Sequence, residues 1–186
     1  MSTELAAVSM EFSDARDAVL ALMHDVVDFP SPGIVFKDIT HVLASAKGFA
    51  ACNFLIRECV ADLEFDFVLG VESRGLILGA ALAASRRVGF VPIRKPNKLP
   101  RETHSVEYAL EYGTDTLEVH IDAVHEAARV VLVDDVLATG GTAGASLRLI
   151  HQLGAIPVAA TFLLELDFLD GRRALGTVPV RSALHA

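Results

Sequence analysis

Two adjacent carboxylates, Asp134 and Asp135, end the apolar run that starts at Val130, and Ala138-Thr139-Gly140-Gly141-Thr142 follows directly after Val136 and Leu137. Such carboxylates can hold a hard cation or accept hydrogen bonds from hydroxyls. The glycines permit a tight turn, and a helix starting near Thr142 would offer unpaired N–H groups and a partial positive charge to an anion. Thr139 and Thr142 add hydroxyl donors. A ligand carrying both hydroxyls and a phosphoryl group would use both halves of the stretch. Taken alone, the same residues would more often simply finish a strand and cap a helix. No Lys follows the glycines, which excludes a nucleoside-triphosphate loop, and their spacing is not that of a dinucleotide fingerprint.

Those groups need a rim to stand on. Val130 to Val133 read as a strand buried on both faces, running on as Arg129–Asp134, with a helix expected over Thr142–Leu153 and a strand over Ile156–Leu164. Upstream, Phe65–Val71 reads as a strand, the residues Glu72 to Gly75 as a turn, Leu76–Arg87 as a helix, and Gly89–Ile93 as a short strand. Apolar spacing predicts a helix from Ser13 to Phe29, with Ser13 as N-cap, and another over Ala46–Leu63. Between them, Pro30, Pro32 and Gly33 make residues 29–40 extended. Arg94 to Ser105 reads as a long basic loop, and the two segments that follow read as a hairpin turning at Gly113. The alternation predicts an α/β fold: a mainly parallel sheet flanked by helices, in one domain spanning residues 1–186.

Composition bounds the function. The chain has 186 residues, 52% of them apolar, and a net charge of −8. That balance argues for a globular protein and against sequence-independent nucleic-acid binding. No apolar stretch approaches the roughly 20 residues a membrane span needs, and the N-terminus lacks the basic start of a secretory leader. Cys52 and Cys59 fall about two turns apart on one helix, beyond disulfide reach, as expected of buried thiols in a reducing cytoplasm. The seven histidines are scattered, so a dedicated zinc site is not expected.

The stretch from Val130 to Ser146 resembles the signature of the phosphoribosyltransferases: an acidic pair in an apolar strand, then a Thr/Gly turn. Three further segments resemble adenine phosphoribosyltransferases, and together the matches run from Phe29 to about Ser146. The first is Glu72-Ser73-Arg74-Gly75. The second is the stretch from Arg94 to Gly113, in which Asn97 stands where glycine is expected. The third is Phe29 to Thr40, after which His41 stands where proline is usual.

The resemblance implies a type I phosphoribosyltransferase-like fold with a small hood (residues 29–40) and a flexible catalytic loop (94–113). It implies transfer of a phosphoribosyl group from phosphoribosyl pyrophosphate to N9 of adenine, giving AMP and pyrophosphate in purine salvage. Asp134 and Asp135 would hold the ribose hydroxyls, and Ala138 to Thr142 the 5′-phosphate. Arg74, Lys95 and Lys98 would meet the pyrophosphate, with Arg94 and Arg101 adding charge. Glu72 and Ser73 would line that loop, joined by a cis peptide. Val35, Phe36 and Lys37 would face the base, and Glu111, beside Tyr112, would be the acid/base residue. Mg²⁺ would arrive with the pyrophosphate near the acidic pair, and a cytoplasmic homodimer is expected. The rival readings are transfer to another base, or a regulator of this fold that binds phosphoribosyl pyrophosphate or AMP without catalysis.

Overall fold

The computed structural model describes residues 11–29, 31–109 and 113–186, which fall into two compact units, one ending at Leu55 and one starting at Ile56. In the first, α1 (Phe12–Leu20) buries Ala15 and Val19. β1 (His24–Val27) then pairs antiparallel with β2 (Val35–Asp38), and α2 (Thr40–Ala44) follows. This corrects the expected helix from Ser13 to Phe29. The helix stops at Leu20, and Glu11 rather than Ser13 stands at its N-cap. The β-branched Val26 and Val27 instead find cross-strand partners in Phe36 and Val35. Asp28 turns the chain with a φ of 58°, and its carboxylate accepts from the Gly33 N–H at 2.7 Å. A local helical period lost to a hairpin with a partner.

α3 (Ala46–Cys59) carries both cysteines, which are free. The second unit then runs β3 (Phe67–Val71), α4 (Arg74–Arg86), β4 (Gly89–Ile93), β5 (Thr103–Ala109), β6 (Thr114–His120), β7 (Arg129–Leu137), α5 (Gly141–Gln152), β8 (Ile156–Glu165) and β9 (Val180–His185). Five strands form one sheet in the order β4-β3-β7-β8-β9, every neighbouring pair parallel. β5 and β6 make the expected hairpin. Leu69, Ile93, Leu132, Leu149 and Phe162 are fully buried around this sheet. The fold class read from the sequence is the one found.

The strand order fixes where a ligand can enter. From β3 the chain crosses to one side to make β4, then returns past β3 to make β7 on the other side. The order reverses between β3 and β7, and in open parallel sheets the crevice beyond such a reversal is the binding place. Two boundaries shape it. β3 last pairs with β7 at Gly70 opposite Val133, whereas β8 keeps pairing as far as Leu137 opposite Glu165. β7 therefore runs three residues beyond the expected Asp134, held there from the β8 side. The basic loop is also shorter than expected, because β5 already begins at Thr103.

Candidate active site

Past Val133, β7 presents its free flank to the turn that follows β3. Asp135 shows what this does to the backbone: its N–H donates to Asp134 Oδ1 at 2.8 Å. Asp135 itself is buried and its carboxylate is paired with the Arg74 guanidinium. Burial first, and then the neighbouring Asp135 carboxylate, push the Asp134 carboxyl well above the ordinary carboxylate range. Gly75 lets the two strand ends meet, since a Cβ there would stand 2.7 Å from the Val133 carbonyl oxygen and 2.8 Å from Asp134 Oδ1. The structure thus brings Arg74, Asp134 and Asp135 together. The Glu72–Ser73 peptide is cis.

Glu72 and Ser73 differ in what they can do. Ser73 is exposed at the N-cap of α4. Glu72 accepts from Arg94 Nε and from the Lys95 N–H, both at 2.8 Å, and the Arg94 guanidinium holds its carboxyl below the usual range. Its oxygens organise the end of β4. Arg94 is also stitched to Glu118 by two backbone hydrogen bonds of 2.9 and 2.8 Å. Lys98 is exposed, and its charge reaches Glu72. Asn97 takes a φ of 63°, supplying the left-handed turn that glycine would otherwise give, a conformation asparagine tolerates.

The Thr/Gly turn forms as expected. Gly140 is the N-cap of α5 with a φ of 83° and no side-chain cap, so the amides of the first turn face the crevice side unpaired by a capping side chain. α4 starts the same way after β3, with no side-chain cap at Ser73. Two helix N-termini therefore open at the strand ends where the order reverses, which suits a ligand with two anionic groups.

Sequence reasoning missed what supports this turn. A Cβ on Gly140 would run into the Gly171 carbonyl oxygen, and a Cβ on Gly171 would run into that of Ala138. Gly171 opens a short 3-10 turn, Gly171–Leu175, pinned by Arg172, whose Nε and Nη2 donate to Glu165 at 2.6 and 2.7 Å. Ser182 adds a third bond to Glu165 at 2.6 Å. No local sequence period signals these pairings, which lie seven and seventeen residues apart. Glu165 also gathers near Asp167 and His185, ligand atoms lying within 4.8 Å of one another, but its oxygens are already taken by Arg172 and Ser182. Lys95 is likewise engaged, by Asp115 and Tyr108, two residues the sequence did not single out.

Val35, Phe36 and Lys37 are consecutive on β2 in the first unit. Val35 is exposed, the Phe36 ring meets Phe29 edge-on at 5.3 Å, and Lys37 pairs with Asp25 at 2.8 Å. Glu111 and Tyr112 lie outside the described residues.

Comparison with known proteins agrees with this geometry. Residues 38–167 match the phosphoribosyl transferase domain family. The chain is 54% identical over 169 residues to the adenine phosphoribosyltransferase of a Nocardioides species, covering 89% of this chain and 91% of that one. It superposes on the crystal structure of adenine phosphoribosyltransferase from Thermoanaerobacter pseudethanolicus with a TM-score of 0.89 at 48% identity, covering 91% and 99% of the two chains. For the Saccharomyces cerevisiae enzyme, solved with adenine and an imino-altritol bisphosphate, the TM-score is 0.86 at 36% identity over 92% and 99%. By its strand order, its crevice and these likenesses, the chain belongs to the adenine phosphoribosyltransferase family.

Proposed function

We propose that the chain transfers the 5-phosphoribosyl group of phosphoribosyl pyrophosphate to N9 of adenine, yielding AMP and pyrophosphate for purine salvage. The observation that carries this reading is the pairing of two uncapped helix N-termini with the Arg74–Asp135–Asp134 cluster in one crevice. One N-terminus suits the 5′-phosphate at Ala138 to Thr142. The other, with Arg74, suits the pyrophosphate, and Lys95 and Lys98 add charge from the β4 end.

As pyrophosphate leaves the anomeric carbon, positive charge builds on the ribose ring, and Asp134 and Asp135 favour it while holding the ring hydroxyls. Glu111, beside Tyr112, is assigned the N9 proton, and Val35, Phe36 and Lys37 the edge and walls of the base. The donor set fits Mg²⁺: Asp134 is a carboxyl crowded by another carboxylate, and hard oxygens are the ligands this ion takes. Bound with the substrate, the ion would neutralise pyrophosphate charge. A cytoplasmic homodimer accords with the family.

The test is incubation with phosphoribosyl pyrophosphate, Mg²⁺ and each purine base in turn. AMP from adenine is expected. Nucleotide only from another base would reassign the acceptor, and ligand binding without any nucleotide would favour a regulator.

A further inference from the structure

Lys95 follows the end of β4 and reaches the β5–β6 hairpin. Its ammonium donates to the Asp115 carboxylate and to the Tyr108 hydroxyl at 3.2 Å, and lies 5.7 Å from the centre of the Tyr108 ring. Tyr108 and Asp115 face each other directly across the hairpin, and the Tyr108 hydroxyl donates to Asp115 at 3.3 Å. The same hydroxyl lies 3.4 Å from Thr142 Oγ1 in the first turn of α5. Lys95 is therefore one hydroxyl away from the phosphate turn.

We propose that Asp115 is a positioning residue which, with Tyr108, holds the Lys95 ammonium for the incoming pyrophosphate group, next to the loop whose Glu72 carboxylate takes the Lys95 N–H. Tyr108 is 6% exposed and part of the core around the sheet, so the platform under Lys95 is rigid. An unheld lysine samples many rotamers, and fixing it beforehand removes that cost from substrate binding. An ammonium has three donors; Asp115 and Tyr108 use two and leave one for a phosphoryl oxygen. Although partial burial opposes it, the bonds to Asp115 and Tyr108 raise the Lys95 pKa. Burial pushes the Asp115 carboxyl up, but the bonds from Lys95, the Thr116 N–H and Tyr108 together bring it below its usual range. The pair stays ionised across the neutral range.

The inference rests on the transferase reading above, and the test separates the two. Asp115→Asn keeps the size of the side chain and removes its charge. It should raise KM for phosphoribosyl pyrophosphate about five-fold, the upper end for a part-exposed ion pair, while KM for adenine stays put. In a Lys95→Met background the same change should add nothing, and calorimetric titration with magnesium pyrophosphate should repeat both results as Kd. An unchanged or lowered KM, equal losses for both substrates, or a full effect without Lys95 would each overturn the proposal. A parent chain that makes no AMP would instead count against the transferase reading.

Discussion

Gly140 packs against Gly171 so closely that a Cβ on it would meet the Gly171 carbonyl oxygen and the Ala174 Cβ, the latter at 2.7 Å, while a Cβ on Gly171 would meet the Ala138 carbonyl oxygen. The atoms in the way are largely backbone, so the turn can yield only by moving. Gly171→Ala should therefore destabilise the protein by about 1–3 kcal/mol and displace the Ala138 carbonyl. Thermal unfolding should show the first effect. A raised KM for phosphoribosyl pyrophosphate with little change for adenine should show the second.

Arg172 grips a carboxylate that is 4% exposed. Its hydrogen bonds hold the Glu165 carboxyl below its usual range. A depressed carboxyl pKa contributes stability above the unfolded value, near 4.3, and loses it as pH falls through the folded one. Arg172→Met leaves that carboxylate buried without its main partner. The loss should be about 2 kcal/mol at pH 7, moderated because the Arg172 side chain is half exposed. Unfolding curves should show the gap between variant and parent narrowing below pH 5.

Asp134 behaves in the opposite sense. Its pKa is raised in the fold, so the folded state binds more protons than the unfolded chain above pH 4 or so, and stability falls as pH climbs through the raised value. Asp134→Asn keeps an oxygen for the Asp135 N–H and removes the charge. We expect a higher Tm than the parent at pH 7, no gain at pH 3.5, and a loss of transferase activity. A Tm that drops at pH 7 would contradict the assignment of Asp134 as a strained charge.

Arg74 already has a partner in Asp135, so its removal affects both the ligand and the acidic pair. Arg74→Ala should weaken phosphoribosyl pyrophosphate much more than adenine, read as a KM ratio. Equal losses would point to a role in folding.

Glu111→Gln should lower kcat by about 10²-fold if Glu111 handles the N9 proton. An unchanged kcat with adenine would remove it from the mechanism.

Much of this was legible beforehand, for reasons that particular residues make plain. β7 announces itself because a strand covered on both faces needs an unbroken apolar run, as Val130 to Val133 supply. The acidic pair and the Thr/Gly turn lie within a few residues of each other, so their chemistry could be read together. β1 could not be read, since His24 to Val27 are exposed along their length and pair with residues eight to fourteen positions away. Asp115, Tyr108, Glu165 and Arg172 were missed because their partners stand at spacings that no helix or strand period marks, seven positions for Arg172 and Glu165 and twenty for Lys95 and Asp115, and nothing local marks an ordinary Asp or Arg for such duty. The end of β7 was misplaced because its last residues depend on how far β8 extends.

That last dependence says how the cleft came to exist. β3 stops pairing at Gly70 while β8 continues to Glu165, and the bare length of β7 between those two limits is where Asp134 and Asp135 stand. The opening is made by subtraction: a neighbouring strand a few residues too short to cover its flank. A β3 longer by those few residues would cover the flank and close the opening.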